Sequence, residues 1–468
     1  MIYLYLFALF MSGYLLASLT LLNLKSITGR LAAAPVLGAG LPVMIFLILN
    51  TLTLEITRTS FLIPWALILV FLVVKQHQKL ITLLNKTCDF IKAQSFLNNV
   101  ILLLITLSFA GYFLMNFITP VFPGDGLEHW GRKAVAWTTM GQISYPEIVR
   151  AEINIWAAYP IWHSLVMMVN LLFFPSMPET VAINNLDSFF VLGIFFTAIY
   201  AFKNLGVKAK YLPALAVFFT FSCREIVAAS SWGYAEIELS YLLFLFTSII
   251  YFEWKHHKEL PGIFLGAVFA ILTCTKGEGW MRGVIALLGL FAFVPYRRQF
   301  FMASLRMIPS CAVVFILQTI NHPAPDAISP FVMGGFITSP QVIMTNIGAS
   351  FNTLYLSIIL PTYSKMEAYW PVSFGLVIFF MVTALINKKM LYRREIFLFG
   401  SIFGMNIIFN LLPFILLAHG YDPRMREAIT YVSFALIRLN SQVYPMLSMV
   451  CIMGFLYFIL RPVEKNTL

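Results

Sequence analysis

Continuous apolar runs, each near the ~20 residues an α-helix needs to cross a bilayer, recur along almost the whole chain. They fall at 2–23, 32–53, 60–74, 97–118, 180–202, 211–223, 238–252, 262–275, 283–295, 300–320, 369–386, 395–418 and 434–460. Runs of this length read as helices, whose backbone hydrogen bonds are satisfied within the segment and need no water. The expected fold class is therefore an all-α polytopic membrane protein with about thirteen transmembrane helices, several of them short. Composition agrees: of 468 residues, 60% are hydrophobic and only 11% charged, with mean hydropathy +0.85, far from the balance of a soluble domain.

The net charge of +11 does not point to nucleic acid, because no basic groove with interleaved aromatics occurs. The basic residues sit in short connections, where the positive-inside rule makes them cytoplasmic. These are Lys75, Lys79, Lys86 and Lys92; Lys203, Lys208 and Lys210; Lys255 and Lys258; Arg297 and Arg298; and Lys388, Lys389, Arg393 and Arg394. The segment Ile161 to Phe174 is too short for a span, and counting it as one would place Lys203, Lys208 and Lys210 outside. It is read as an interfacial helix. That choice puts the N-terminus outside and Arg461 and Lys465 inside. The opening MIYLYLFALF lacks a basic leader, so the first segment is expected to be retained. The five cysteines, Cys88, Cys223, Cys274, Cys311 and Cys451, lack metal spacing; Cys223 and Cys274 could both lie at outer helix ends but read as isolated buried thiols.

No linker, low-complexity tract or internal repeat divides the chain, which gives one transmembrane domain over 1–468. Its expected parts are an N-terminal three-helix extension, 1–96, and a core, 97–460, with long outer loops at 119–179 and 321–368. Long loops on a compact protein carry function.

Four constellations of charge stand out at the edges of the apolar runs, where ionisable groups are costly and mark functional sites. The first is FPGDGLEHWGRKAVAW, residues 122–137. Glycines flank Asp125 and allow close approach of a ligand, and Pro123 stops the preceding helix. A helix beginning near Leu127 would pair Glu128 with Arg132 and set Trp130, Lys133 and Trp137 on another face. A plainer reading is a helix cap with an aromatic belt. The second is WGYAEIEL, residues 232–239, an outer loop whose Glu236 and Glu238 either form a polar site or favour the start of the next helix.

The third, TKGEGWMRG at 275–283, is so short that its flanking spans form a tight hairpin. Lys276 and Arg282 there are suited to a phosphate, unless they pair internally with Glu278. The fourth is the last outer segment, where Arg438 lies in an apolar stretch. It needs an anion or a water-filled cavity, or it snorkels to the surface. His129 and His163 belong to no HExxH-type metal set, and GxSxG, P-loop and GxGxxG motifs are absent from fitting contexts.

In order and on one side of the membrane, these four constellations resemble those of the GT-C superfamily of integral-membrane glycosyltransferases, which includes aminoarabinose and protein mannosyltransferases. The resemblance runs from about residue 97 onward. GDGLEHWGRKAVAW is similar to the family's first large outer loop, YPIWHSLVMMVNLLF to its following interfacial helix, GYAEIEL to its GYAD-type motif and CTKGEGW to its TKxEG-type turn. Arg438, Leu439, Gln442 and Pro445 match its late R-L-x-x-Q-x-x-P pattern. Departures are Glu236 in place of the usual Asp, Glu238 where Pro is frequent, and three apolar spans ahead of the first acidic loop's own span.

The resemblance implies a GT-C-like bundle with interfacial helices in the first outer loop. It implies transfer of a sugar from a polyprenyl-phosphate-sugar donor to a glycan, lipid or protein acceptor at the outer face of a membrane, expected to be a bacterial inner membrane. Asp125 is the expected general base, Glu128 the alternative acid and Glu236 a group that orients substrate or assists proton transfer. Lys276, Arg282 and Arg438 are expected on donor phosphate, and Trp130, Lys133, Trp137 and Glu278 on substrate. No cofactor is certain; converging carboxylates such as Asp125 and Glu236 admit Mg²⁺ or Mn²⁺. Two other classes remain open, a polymerase or ligase of undecaprenyl-linked glycans and a membrane transporter. Against the transporter stand the outer-edge acids and the lack of a repeat; for it stands Asp187, the one acid expected inside a span.

Overall fold

A computed structural model describes residues 2–120, 130–144, 160–183, 185–222, 235–256, 259–293, 297–322, 344, 369–416 and 443–464. Every regular element among them is helical. We number the main helices α1 Ile2–Ala17, α2 Ile27–Thr51, α3 Arg58–Lys92, α4 Phe96–Ile118, α5 Arg132–Met140, α6 Trp162–Phe173, α7 Asn185–Asn204, α8 Leu212–Ser222, α9 Glu236–Lys255, α10 Gly262–Thr275, α11 Gly279–Phe293, α12 Arg297–Ile320, α13 Tyr369–Ile386, α14 Arg393–Leu416 and α15 Tyr444–Glu464. Among the described residues, six helices are long and apolar enough to cross a membrane by length and composition. They are 27–51, 58–92, 96–116, 179–204, 236–255 and 300–320.

Local chemistry sets the helix starts. Ser26 Oγ accepts the Gly29 amide at 3.0 Å and caps α2. Thr57 and Ser60 form a reciprocal capping box at the start of α3, each side chain accepting the other's backbone N–H. Ser95 caps α4 through the Asn98 amide. At the other end of a helix, Gly141 closes α5 with φ of +67°, a left-handed conformation that glycine adopts without steric cost.

The apolar run at 60–74 does not stop at its first lysine. The helix continues to Lys92, with Gln76 out of helical geometry, because 75–92 is itself amphipathic. The acids Glu236 and Glu238, read either as a polar site or as favouring the start of the next helix, lie in the first turn of α9. Negative charge at a helix N-terminus is favoured by the exposed backbone N–H groups. The segment read as an interfacial helix is α6, twelve residues long and buried along its length, too short to cross a bilayer.

The described chain divides into two compact units, Met1–Gly283 with Val294–Asp326, and Val284–Phe293 with Ala327–Leu468. In the second, α13, α14 and α15 pack on one another, and Asn387 Nδ2 donates to Tyr457 Oη at 2.5 Å. In the first, α2 and α9 sit inside the packed helices and α7 lies between them. Residues 1–96 contribute directly to that core. Tyr5 Oη donates to Asn170 Oδ1 of α6 at 2.7 Å. Tyr241 of α9 reaches into α2 beside Pro35, its hydroxyl donating to Ala32 O at 2.7 Å and accepting from Val36 N at 3.2 Å. A side chain inserted into a helical ladder next to proline is a recognised way to hold a bent helix.

Candidate functional site

The first unit gathers charge at one place. Glu236 and Glu238 open α9, and both are buried. The turn between α10 and α11 brings Lys276 to Glu236, Nζ to Oε1 at 2.9 Å, and to Glu278, Nζ to Oε1 at 3.2 Å. That turn is tight because a Cβ on Gly279 would overlap the Leu272 carbonyl oxygen; any larger residue would push the two helices apart. Arg282, one turn into α11, is fully buried and lies within electrostatic reach of Glu278 and Glu236. The pairing of Lys276 with Glu278, one of two readings of TKGEG, is thus present alongside a second pair with Glu236.

Glu238 faces the other way. Its Oε1 accepts from Trp162 Nε1 at 3.0 Å, and its Oε2 lies 3.0 Å from His163 Nδ1. Both partners come from the first turn of α6. Trp130 meets the His163 ring edge-on, with centroids 5.4 Å apart and planes at 89°. Lys133 Nζ stands 5.5 Å from the Trp130 ring centre, within cation–π range. Asp187, in the first turn of α7, is buried and feels the charges of His163, Glu238 and Glu236. Among the described residues its Oδ2 has no hydrogen-bond partner.

Of the expected site residues, Trp130, Lys133, Glu236, Lys276, Glu278 and Arg282 therefore come together. Trp130, Lys133 and Trp137 are all buried, and the helix that carries Lys133 and Trp137 begins at Arg132, after Trp130. Trp137 uses its indole N–H on Ser144 O at 3.0 Å, which ties the chain after Gly141 to α5. Neither tryptophan forms an exposed belt. Asp125, Glu128 and Arg438 lie outside the described residues. Sequence reasoning passed over His163 and Trp162. Their signal was the adjacency of an imidazole and an indole just after Pro160, opening a short apolar helix.

Lys133 lies outside the long apolar helices and is completely buried, and loss of water pushes its amine down to about 7 from the usual 10.5.

Among the described residues, no three His, Cys, Asp or Glu side chains gather closely enough to hold a metal ion. Glu236 and Glu278 already converge on the ammonium of Lys276.

What the arrangement can do is bounded by its charges. Buried ammonium and guanidinium groups can receive an anion if a carboxylate yields its place, and a carboxylate–imidazole pair can hold a proton. No protein-family model, no curated protein and no solved structure matches the chain.

Proposed function

We propose that the protein is a membrane glycosyltransferase that moves a sugar from a polyprenyl-phosphate carrier to an acceptor hydroxyl at the outer membrane face. One observation carries this reading: three charged segments far apart in sequence, 130–137, 236–238 and 276–282, are buried together in a chain poor in charge. Burying ions costs several kcal/mol each, so a cluster assembled from three elements is retained for chemistry rather than for stability. In the proposed topology about thirteen crossings leave the N-terminus outside, α5 and α6 lie at the membrane interface, and the cluster faces outward.

In the reaction the acceptor O–H bond breaks as its oxygen bonds to the anomeric carbon. The bond from that carbon to the phosphate oxygen breaks, and the electron pair leaves on the lipid phosphate. Two demands follow, a base for the proton and positive charge for the departing phosphate. Asp125 is assigned as the base, with Glu128 as its alternative. Lys276 and Arg282 are assigned to the phosphate, together with Arg438. Lys276 must then exchange Glu278 or Glu236 for phosphate when donor binds. That exchange frees Glu236 to orient substrate. Trp130, Lys133 and Glu278 line the same region as substrate contacts, and Trp137 supports them through Ser144.

The test has two arms. Mass spectrometry of the protein purified with its native lipids should find a copurifying polyprenyl-phosphate sugar. Asp125→Asn keeps the side chain's shape but removes its basicity, and should lower transfer by about 10² to 10⁴ with folding intact. Wild-type turnover in Asp125→Asn, with activity lost in Glu128→Gln, would move the base to Glu128.

A transporter is the second reading, and the buried Asp187 in α7, one of whose oxygens meets no hydrogen-bond partner among the described residues, favours it. Proton-coupled solute uptake into proteoliposomes without turnover of lipid-linked sugar would select it. A polymerase or ligase of undecaprenyl-linked glycans would instead show product growing by more than one unit.

A further inference from the structure

We infer that residues 77–92 lie flat on the inner membrane surface as an amphipathic helix that binds anionic phospholipid headgroups. The inference is independent of the sugar-transfer reading. It rests on α3 and α4 both crossing the membrane, as their length and composition allow.

Depth fixes the direction of the segment. The apolar part of α3 ends at Val74, and α4 opens with the exposed Phe96 and Leu97. One span ends and the next begins at the same membrane edge, so the chain between them starts and finishes at one depth. Held straight below the bilayer, 77–92 would carry the start of α4 about 24 Å into water. The 23 residues of α4, about 35 Å of helix, would then stop far short of the outer face. Gln76 supplies the bend, with φ of −116° and ψ of 16° inside the helix that runs from Arg58 to Lys92. The far end is fixed by Asn99, whose Nδ2 donates to Ile91 O at 3.2 Å, and by the Ser95 cap. A lateral path also agrees with what the two spans pack on. Phe61 of α3 meets Phe46 of α2 at 4.9 Å, whereas Phe109 of α4 meets Phe195 of α7 at 5.0 Å and Phe221 of α8 at 5.4 Å.

Helical spacing then sorts the side chains. Leu80, Leu84, Thr87 and Ile91 recur at i, i+4, i+7 and i+11 and form one ridge. Thr87 spends its hydroxyl on Leu83 O at 2.9 Å. The opposite ridge is Gln78, Thr82, Asn85 and Asp89. Lys75, Lys79 and Lys86 run along one rim between the ridges, and Lys92 stands on the other rim. Among the described residues, no side chain from 73 to 97 is buried by protein.

This pattern fits a lipid surface. The apolar ridge enters the acyl boundary while the lysine stems lie along it and their ammonium groups reach the phosphates. The one acid, Asp89, faces away. Four cations against one carboxylate favour an anionic leaflet, each lysine near such a surface adding about fivefold in affinity.

The experiment places the full chain in nanodiscs of phosphatidylcholine, alone or mixed with phosphatidylglycerol. It measures how fast a charged, membrane-impermeant maleimide reacts, with peptide mass spectrometry locating the label. Native Cys88 is exposed in the protein alone and lies seven residues after Ile81, on the lipid-facing side. Thr82→Cys reports the opposite ridge. Cys88 should react about tenfold or more slowly than Thr82→Cys, as expected of a thiol whose pKa is raised by apolar surroundings. Phosphatidylglycerol should slow Cys88 further, by about fivefold or more. The combined Lys75→Gln, Lys79→Gln and Lys86→Gln variant should lose that lipid dependence. Equal rates at the two positions, or a Cys88 rate indifferent to phosphatidylglycerol, overturns the inference. A phosphatidylglycerol effect that survives intact in the combined variant overturns it too. So does protection that disappears at one chain per nanodisc, which would make a second copy the cover of that face.

Discussion

Helices α4 and α9 are alike as apolar segments and opposite in what surrounds them. The spanning window of α9 is 100% buried among neighbouring helices, whereas that of α4 is 6% buried. Hydropathy does not separate them in the expected direction: the exposed helix is the more apolar of the two. In water the more apolar helix would go inside. In a bilayer the lipid tails are as apolar as leucine, and the driving force that sorts helices is instead the need to hide polar groups and pack closely. α9 carries Glu236, Glu238, Ser240, Thr247, Ser248 and Glu253, all buried, while α4 turns Leu103, Leu104, Leu107 and Leu114 outward. The buried helix is therefore the one that carries the buried charges, and the exposed one turns an apolar face outward.

The strongest attempt to break this comparison is removal of a buried charge. Lys276→Met deletes the ammonium shared by Glu236 and Glu278 and leaves both carboxyls in a site built around it. Breaking a buried pair in this way costs about 3–5 kcal/mol. Leu104→Met, on the exposed face of α4, should change stability by no more than about 0.5 kcal/mol. Thermal unfolding of both variants in the same lipid measures the gap. Equal stability would mean that the charges at α9 are solvated after all, and that the two helices differ less than their burial implies. Adding Glu236→Gln to Lys276→Met should recover part of the loss.

The same contrast shows what the sequence made legible. The runs at 262–275 and 369–386 coincide with α10 and α13, because each is bounded by residues that stop an apolar helix: Pro261 before the first, and the lysines at 388 and 389 soon after the second. α3 is longer than the apolar run at 60–74, since the basic segment after Val74 is amphipathic and continues the helix past a kink at Gln76. Which helices would be enclosed was not legible, for the reason given by α4 and α9. At the site, Glu236, Lys276 and Arg282 were visible as charges in apolar surroundings. His163 was not, because a lone histidine at a helix start has no pattern of its own. Its meaning comes from Glu238, 75 residues further along the chain.

A smaller effect is expected from glycines in the two environments. Gly13 of α1 faces the backbone of α2 so closely that a Cβ would overlap the Ala34 carbonyl oxygen. Gly111 of α4 has nothing within 4 Å of the same position among the described residues. Gly13→Ala should force the two helices apart at a cost of about 1–3 kcal/mol. Gly111→Ala should be neutral or stabilise by about 0.5–1 kcal/mol, the usual difference between the two residues in a helix. Unfolding in detergent micelles, read by tryptophan fluorescence, gives both numbers. A loss at Gly111 comparable to that at Gly13 would show that α4 is packed against protein in the membrane, as a second copy of the chain would pack it.

The smallest effect sharpens the comparison from the side of a single buried cation. Lys133 is enclosed as completely as α9, and burial holds its amine at about 7 against 10.5 for the free side chain. Between those values the unfolded chain keeps the proton and the folded chain has released it. Stability therefore rises with pH across that window, by up to about 1.4 kcal/mol per unit. Below about 7 both states are charged and the full cost of burying the ammonium is present; above 10.5 neither is charged and the cost is gone. Lys133→Met removes the group that titrates, so its midpoint of unfolding should depend less steeply on pH. Between pH 7.5 and 8.5 the difference between the two slopes should reach about 1 kcal/mol. Parallel curves for wild type and Lys133→Met would mean that the ammonium stays charged when folded, held by an anionic partner at the start of α5. Lys133 would then join Lys276 as a paired buried cation.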